Sequence, residues 1–162
     1  MAEARWLDER EMRAWLAYID LSTLMDDYLD RQLRRDAGLT HADYNLLGRL
    51  GSAPDRSLTM SRLAQQLKIT RSRLTHAVVR LEHAGYVRRC GHPTDRRSQL
   101  AVLTDRGADL LATVAPGHVE AVRRAVFDVL TPDQVRQLTE VGETIIEALQ
   151  RADPDSPPWR RR

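Results

Sequence analysis

Arginines concentrated in the middle of the chain are the residues best suited to a chemical role. Between residues 61 and 97 the sequence holds nine Lys or Arg against two acidic residues, whereas the rest holds 16 basic against 21 acidic ones. The formal net charge of the whole chain is only +2, so the positive charge is confined to this block. Such a focused positive region suits a polyanion such as duplex DNA, because neutralising phosphates supplies much of the binding free energy.

Residue patterns for catalysis or metal binding are missing from the sequence. There is no G-x-S-x-G nucleophile motif and no phosphate-binding Walker loop. The five histidines are not spaced with Cys, Asp or Glu as metal ligands would be. We therefore expect no enzyme activity, no metal and no other cofactor.

Cys90 is the single cysteine, so an intrachain disulfide is impossible and a reducing cytosol is the expected compartment. The apolar runs are too short to cross a bilayer, so no membrane partner is expected. A thiol surrounded by arginines is a candidate for oxidation. A redox-responsive regulator acting through Cys90 is therefore one alternative, and a protein-interaction adaptor is another.

Amphipathic helices must carry and flank the basic block. Apolar residues recur at helical spacing over residues 8–35, which predicts one long helix ending near Gly38. Thr40 and Asp43 form a capping-box variant that starts a second helix through Leu50. Residues 51–57 contain Gly, Ser, Pro and Asp and are predicted to form a turn.

The basic block itself divides into two short helices and a hairpin. The first helix follows Thr59, and the second spans about residues 71–84 with Thr70 as its N-cap. After Gly85 the apolar period changes from 3.6 to 2, which predicts strands over 86–90 and 99–103 joined by a basic turn. This element order is that of a winged helix-turn-helix, whose second helix enters the DNA major groove.

Two further helices complete a mainly α fold with a small β-hairpin wing. One runs from the Thr104 cap to about residue 130, with a kink expected at Pro116, and the other starts at Thr131. Residues 152–162 lack periodicity and are expected to be a disordered tail.

The helical period turns a polar face of the second short helix outward, with side chains able to bond bases or phosphates. The hairpin tip adds two arginines suited to the minor groove. The predicted DNA-binding residues are Arg71, Ser72, Arg73, Thr75, His76, Arg80, Arg96 and Arg97.

The hairpin motif closely resembles the wing signature of the multiple antibiotic resistance regulator (MarR) family. Asp95 and Arg97 match its D-x-R element, and Leu103-Thr104 match the L-T pair that follows. The resemblance spans about residues 8–150. It implies a homodimer that binds a palindromic double-stranded operator, usually as a repressor released by a small anionic or phenolic compound. It also implies that Arg97 is the minor-groove arginine and that Asp95 orients the wing by pairing with neighbouring arginines.

The resemblance divides the chain into dimerisation helices at both ends and a DNA-binding lobe between them. Residues 8–35 and 105–151 would form the dimerisation helices, and residues 40–104 the DNA-binding lobe. Aromatic residues near the junction would serve core or dimer packing, or would line an effector pocket with two polar anchors. The candidates for that pocket are Trp15, Tyr18, Asp20, Tyr44 and Arg49.

Overall fold

The computed structural model describes residues 4–95 and 98–152 of the chain. It confirms a mainly α fold with a small antiparallel sheet in the helix-turn-helix region. None of the described helices is both long enough and apolar enough to span a membrane. The helices are α1 (Glu9–Ala37), α2 (His41–Gly51), α3 (Met60–Leu67), α4 (Arg71–His83), α5 (Asp105–Val122) and α6 (Pro132–Ala152), and the strands are β1 (Ser57–Thr59), β2 (Val87–Gly91) and β3 (Gln99–Leu103).

Local side-chain caps fix most of the helix starts. Asp8 accepts hydrogen bonds from two backbone amides of α1, and Thr40 and Asp43 form the predicted capping box of α2. Thr70 caps α4 by accepting from the Arg73 amide, and Thr104 caps α5. The caps at Thr40, Thr70 and Thr104 lie where the sequence predicts them, because each depends on residues within one helical turn.

A third strand, β1, replaces part of the predicted turn over residues 51–57. The prediction was wrong at Ser57, which begins β1 and faces Val102 of β3. Leu58 is buried and lies opposite Ala101, so the strand closes one edge of the core. Three residues are too few to show a period of two, and only pairing with β3 makes them a strand.

The buried core lies within the helix-turn-helix region. Leucines of α2, α3 and α4 pack against β2 and β3, and Leu47, Leu50, Leu63 and Leu74 are fully buried. Helix α5 packs against both α1 and α2, which joins this core to the long helices. The helix-turn-helix region, the sheet and the adjoining part of α5 therefore form one packed unit.

The helix after β3 ends in a π-helical segment. Residues 105–122 form one α-helix with Pro116 inside it, and a π-helical segment follows over Arg123–Phe127. There the Asp128 amide donates to the Arg123 carbonyl at 2.8 Å, a bond across five residues. The irregularity therefore lies after Pro116, before the short connection to α6.

Candidate nucleic-acid interface

Helix α4 is fixed by its apolar face and presents its polar face to solvent. Leu74 and Val78 are fully buried, and Leu81 is 2% exposed. The predicted contact residues of α4 are all exposed, as the helical period requires. They are Arg71, Ser72, Arg73, Thr75, His76 and Arg80.

A cleft of about 420 Å³ opens beside the N-terminal end of α4. Arg71 and Thr75 form one wall, Ser61 at the start of α3 lies on another, and Arg89 and Gln99 of the hairpin close the third. The cleft thus joins α3, α4 and the sheet in one polar surface with two guanidinium groups. Its hydroxyl, amide and guanidinium groups can donate hydrogen bonds to phosphate oxygens or base edges.

Sequence reasoning did not place Arg89, Ser61 or Gln99 in this surface. Strand alternation is the signal that could have found Arg89, because it lies two residues after the buried Val87 and shares its face of the sheet. That face is turned towards α4. The Arg89 Nε donates to Oε2 of Glu82 in α4 at 2.8 Å.

Arg80 differs from the other exposed residues of α4. Its Nη2 donates to Oδ1 of Asp43, a buried carboxylate in α2. Among the residues that the structure describes, neither Arg71 nor Arg73 has an acidic side chain within ion-pair distance. In the described chain Arg80 is therefore ion-paired, whereas Arg71 and Arg73 face solvent without a carboxylate beside them.

Asp95 shapes the described part of the hairpin turn. Its Oδ2 accepts from the Ser98 hydroxyl at 2.6 Å, and its carbonyl accepts from the Ser98 amide at 3.0 Å. The Ser98 carbonyl in turn accepts from the His92 amide at 3.0 Å. The predicted contact residues Arg96 and Arg97 lie outside the described residues. The expected pairing of Asp95 with them remains a prediction.

The five candidate effector residues do not share one cleft of the described chain. Trp15 and Tyr18 stack at 5.7 Å on the exposed face of α1, where Asp20 is also exposed. Tyr44 packs on His118 of α5 with ring centroids 4.3 Å apart. Arg49 lines a separate cleft of about 670 Å³ near β1. The prediction that these five residues line one effector pocket stays a prediction, and the described chain places them on α1, at the contact of α2 with α5 and beside β1.

His118 lies at the junction of α1, α2 and α5. Burial, followed by the nearby charge of His41, lowers the pKa of His118 below its ordinary value. Its Nδ1 lies 3.3 Å from Oε1 of Gln32, a buried side chain of α1. Burial also raises the pKa of Tyr44, so both rings favour their neutral forms.

Cys90 is half-buried in β2 and lies opposite Leu100 of β3. Within residues 4–95 and 98–152, no three His, Cys, Asp or Glu side chains are grouped closely enough to bind a metal ion. The described arrangement thus offers chemistry for recognising an anion or a base edge.

Comparisons with known proteins agree with this geometry. The sequence model of the MarR family matches residues 37–98. The chain is 33% identical over 123 residues to the transcriptional regulator PecS of Dickeya dadantii, covering 75% of this chain and 70% of PecS. The chain belongs to the MarR family. It is accordingly a transcriptional regulator and not an enzyme.

Solved structures of MarR proteins extend the likeness over nearly the whole chain. Sco3205, a MarR-family regulator from Streptomyces coelicolor crystallised in complex with DNA, is 52% identical with a TM-score of 0.92, covering 97% of this chain and 98% of Sco3205. AbsC from the same organism is 36% identical with a TM-score of 0.88, covering 91% of this chain and 99% of AbsC. The long helices on both sides of the winged region are therefore shared with these MarR proteins.

Proposed function

We propose that the protein is a homodimeric, sequence-specific DNA-binding regulator, acting as a repressor that a small molecule releases from its operator. The observation that carries this proposal is the polar face of α4, which is continuous with the two-arginine cleft beside the hairpin. Helix and hairpin together match the shape of a groove and the adjoining phosphate backbone. Sco3205, similar over almost its whole length, was crystallised with DNA and supports the same partner here.

In this proposal the N-terminal half of α4 reads bases in the major groove. Arg73 supplies a guanidinium group for a base edge, Arg71 in the first turn supplies one for a phosphate oxygen, and Ser72, Thr75 and His76 add shorter contacts. The Thr75 hydroxyl donates to the Arg71 carbonyl at 2.9 Å, which leaves its oxygen lone pairs to accept from a base. Arg96 and Arg97 at the hairpin tip would enter the minor groove, with Asp95 shaping the turn.

Exposed apolar side chains on the long helices support a homodimer. In α1 they include Trp15, Leu16 and Leu24, each more than half exposed. Helix α6 makes no extensive contact with any other described element. Its apolar side chains Val141 and Leu149 are therefore left exposed. Exposed apolar area of this extent is costly in water and marks an interface. We assign residues 8–35 and 105–151 to dimerisation, and residues 40–104 to DNA binding.

A symmetric dimer implies a palindromic operator. Two copies of α4 related by a two-fold axis would read half-sites about 10 base pairs apart, one turn of B-DNA. Because its proposed partner is DNA, we place the protein in the cytoplasm.

Release by a small anionic or phenolic compound follows from the family resemblance. An apolar cleft of about 480 Å³ between α1 and the α5–α6 connection includes the predicted residue Tyr18. The cleft at Arg49 offers a guanidinium group that would suit a carboxylate instead. A compound in the first cleft would contact only the proposed dimerisation helices, and a compound in the second would contact only the DNA-binding lobe.

The DNA-binding proposal can be tested with duplexes selected from a random pool by the wild-type protein. Arg73→Ala should relax base preference at one position of each half-site, whereas Arg97→Ala should weaken binding and reduce its salt dependence. Arg136→Ala on α6 removes the same charge far from α4 and serves as the control. Unchanged selection and affinity in both test variants would contradict the proposed surface.

The dimer is tested separately by sedimentation. Ile145→Glu places a carboxylate in the exposed apolar face of α6 and should shift the protein towards monomer or aggregate. Thr144→Glu introduces the same group on the exposed polar side of α6, next to Glu140 and Glu147 in the helical turn, and should leave the dimer intact. A monomeric wild-type protein would contradict the proposal.

A further inference from the structure

Asp43 is a buried acid that acts on two helices at once. The residue is only 4% exposed. Its Oδ2 accepts from the Thr40 hydroxyl at 2.6 Å and from the Thr40 amide at 3.3 Å, which completes the N-terminal cap of α2. Its Oδ1 accepts from Arg80, 37 residues further along the chain in α4. One carboxylate thus joins the first turn of α2 to α4, the helix proposed to enter the major groove and hence the recognition helix.

The pairing changes what Arg80 can offer to DNA. A buried carboxylate is stable only with a cation and hydrogen bonds around it, and Arg80 supplies that cation. The charge of Arg80 is therefore largely offset before any phosphate approaches. A phosphate that drew the guanidinium away from Oδ1 would leave Asp43 buried without its cation, and this cost opposes any DNA contact that breaks the pair.

The first turn of α2 is also tied to α1. Asp30 of α1 accepts from the backbone amide of His41 at 3.0 Å, two residues before Asp43. The Arg34 side chain and this amide lower the pKa of Asp30, so the acceptor is ionised at neutral pH. Two acids therefore link three helices. Asp30 joins α1 to α2 through the His41 amide, and Asp43 joins α2 to α4 through Arg80.

We propose that Arg80 is a positioning residue: its pair with Asp43 sets the angle of α4 against α2 and α1, and thereby the spacing of the two recognition helices in the dimer. The inference rests on the proposed function, because it assigns a role within DNA recognition. It also revises the prediction from sequence that Arg80 contacts DNA.

A double-mutant cycle on full-length protein separates positioning from contact. The variants are Asp43→Asn, Arg80→Gln and the double variant, and Arg71→Gln is the matched contact control. Each is titrated with a duplex selected by the wild-type protein and with poly(dI-dC), over a range of salt concentrations. Asn retains an oxygen that can accept from the Thr40 amide, so the cap of α2 is preserved in part.

A positioning role predicts that each single variant loses about tenfold in affinity for the selected duplex and that the double variant loses no more. The Arg80→Gln slope of log affinity against log salt should equal the wild-type slope, and its poly(dI-dC) affinity should be unchanged. Arg71→Gln should instead reduce the slope by about 0.9, the value for one phosphate.

A reduced slope for Arg80→Gln, or an equal loss in the Asp43→Asn background, would make Arg80 a contact and overturn the inference. An equal loss on both DNAs that disappears on cooling would indicate simple unfolding and would also overturn it. If Asp43→Asn does not fold, the comparison of slopes between Arg80→Gln and Arg71→Gln decides alone. If the wild-type protein binds no duplex, the proposed function fails first, and the inference fails with it.

Discussion

Glu82 at the end of α4 and Arg89 in β2 are joined by both backbone and side-chain hydrogen bonds. The Arg89 backbone amide donates to Glu82 Oε1 at 3.0 Å, and the Arg89 side-chain Nε donates to Glu82 Oε2 at 2.8 Å. The recognition helix and the hairpin are thereby held as one surface, because the bond to the backbone fixes the strand as well as the side chain.

Replacing Glu82 by Gln should loosen the hairpin. We expect the free energy of unfolding to fall by about 1 kcal/mol, since the charged acceptor is lost while the pair is partly solvated. Affinity for a selected duplex should fall as well. Urea unfolding and DNA titration measure both, and Glu120→Gln, which breaks an exposed pair with Arg124, is the control. Equal effects of the two substitutions would contradict a special role for Glu82.

The same pair predicts a pH dependence. The Arg89 side chain, and then its amide, lower the pKa of Glu82 below its ordinary value of about 4.5. The stabilisation is therefore complete above about pH 4.5 and is lost as pH falls through the lower pKa of the folded state. Unfolding measured from pH 7 to pH 3 should show wild type and Glu82→Gln converging at the acid end. A constant difference would contradict the assignment.

Gly107 in α5 lies against the backbone where the hairpin begins. A β-carbon at this position would overlap the Tyr86 carbonyl oxygen and lie 2.7 Å from Leu103 Cδ1. Gly107→Ala should therefore lower the free energy of unfolding by about 2–3 kcal/mol, because backbone must shift. Gly142→Ala, in open space on α6, should be neutral or stabilising. Thermal unfolding of the two variants compares them directly, and equal melting temperatures would contradict the close approach.

Lys68 occupies the left-handed region at the turn between α3 and α4, with φ of 54°. Gly adopts this conformation without steric cost. Lys68→Gly should raise the free energy of unfolding by about 0.5–1 kcal/mol. Lys68→Ala removes the same side chain but retains the unfavourable φ, so it should give no gain. Chemical denaturation distinguishes them, and an equal response would show that the side chain and not the backbone matters.

His118 should make stability depend on pH near neutrality. Its pKa in the folded state is lowered, mainly by burial, from an ordinary value of about 6.5. Protonation therefore favours the unfolded chain, and stability should be retained above about pH 6.5 and lost progressively below it. His118→Gln should show a flatter profile over that range. An NMR titration of the imidazole checks the direction, and a raised pKa would contradict it.

Elements governed by neighbouring residues were predictable from sequence. The caps at Thr40, Thr70 and Thr104 and the pairing of β2 with β3 depend on contacts close in the chain. The outward face of α4 followed from its period alone. The motif behind the family resemblance could be read from the sequence for the same reason, because it lies within one hairpin.

Contacts between distant residues had no such signal. Strand β1 exists because β3 returns beside it, and Asp43 meets Arg80 only because tertiary packing brings the first turn of α2 beside α4. The candidate effector residues were grouped by type, and helix packing separated them. The sequence by itself thus determined the helices, their caps, the hairpin and the basic surface, because each depends on local periodicity and charge. Only the tertiary structure decided which arginine is paired and which residues share a cleft, because those relationships depend on how the elements pack in three dimensions.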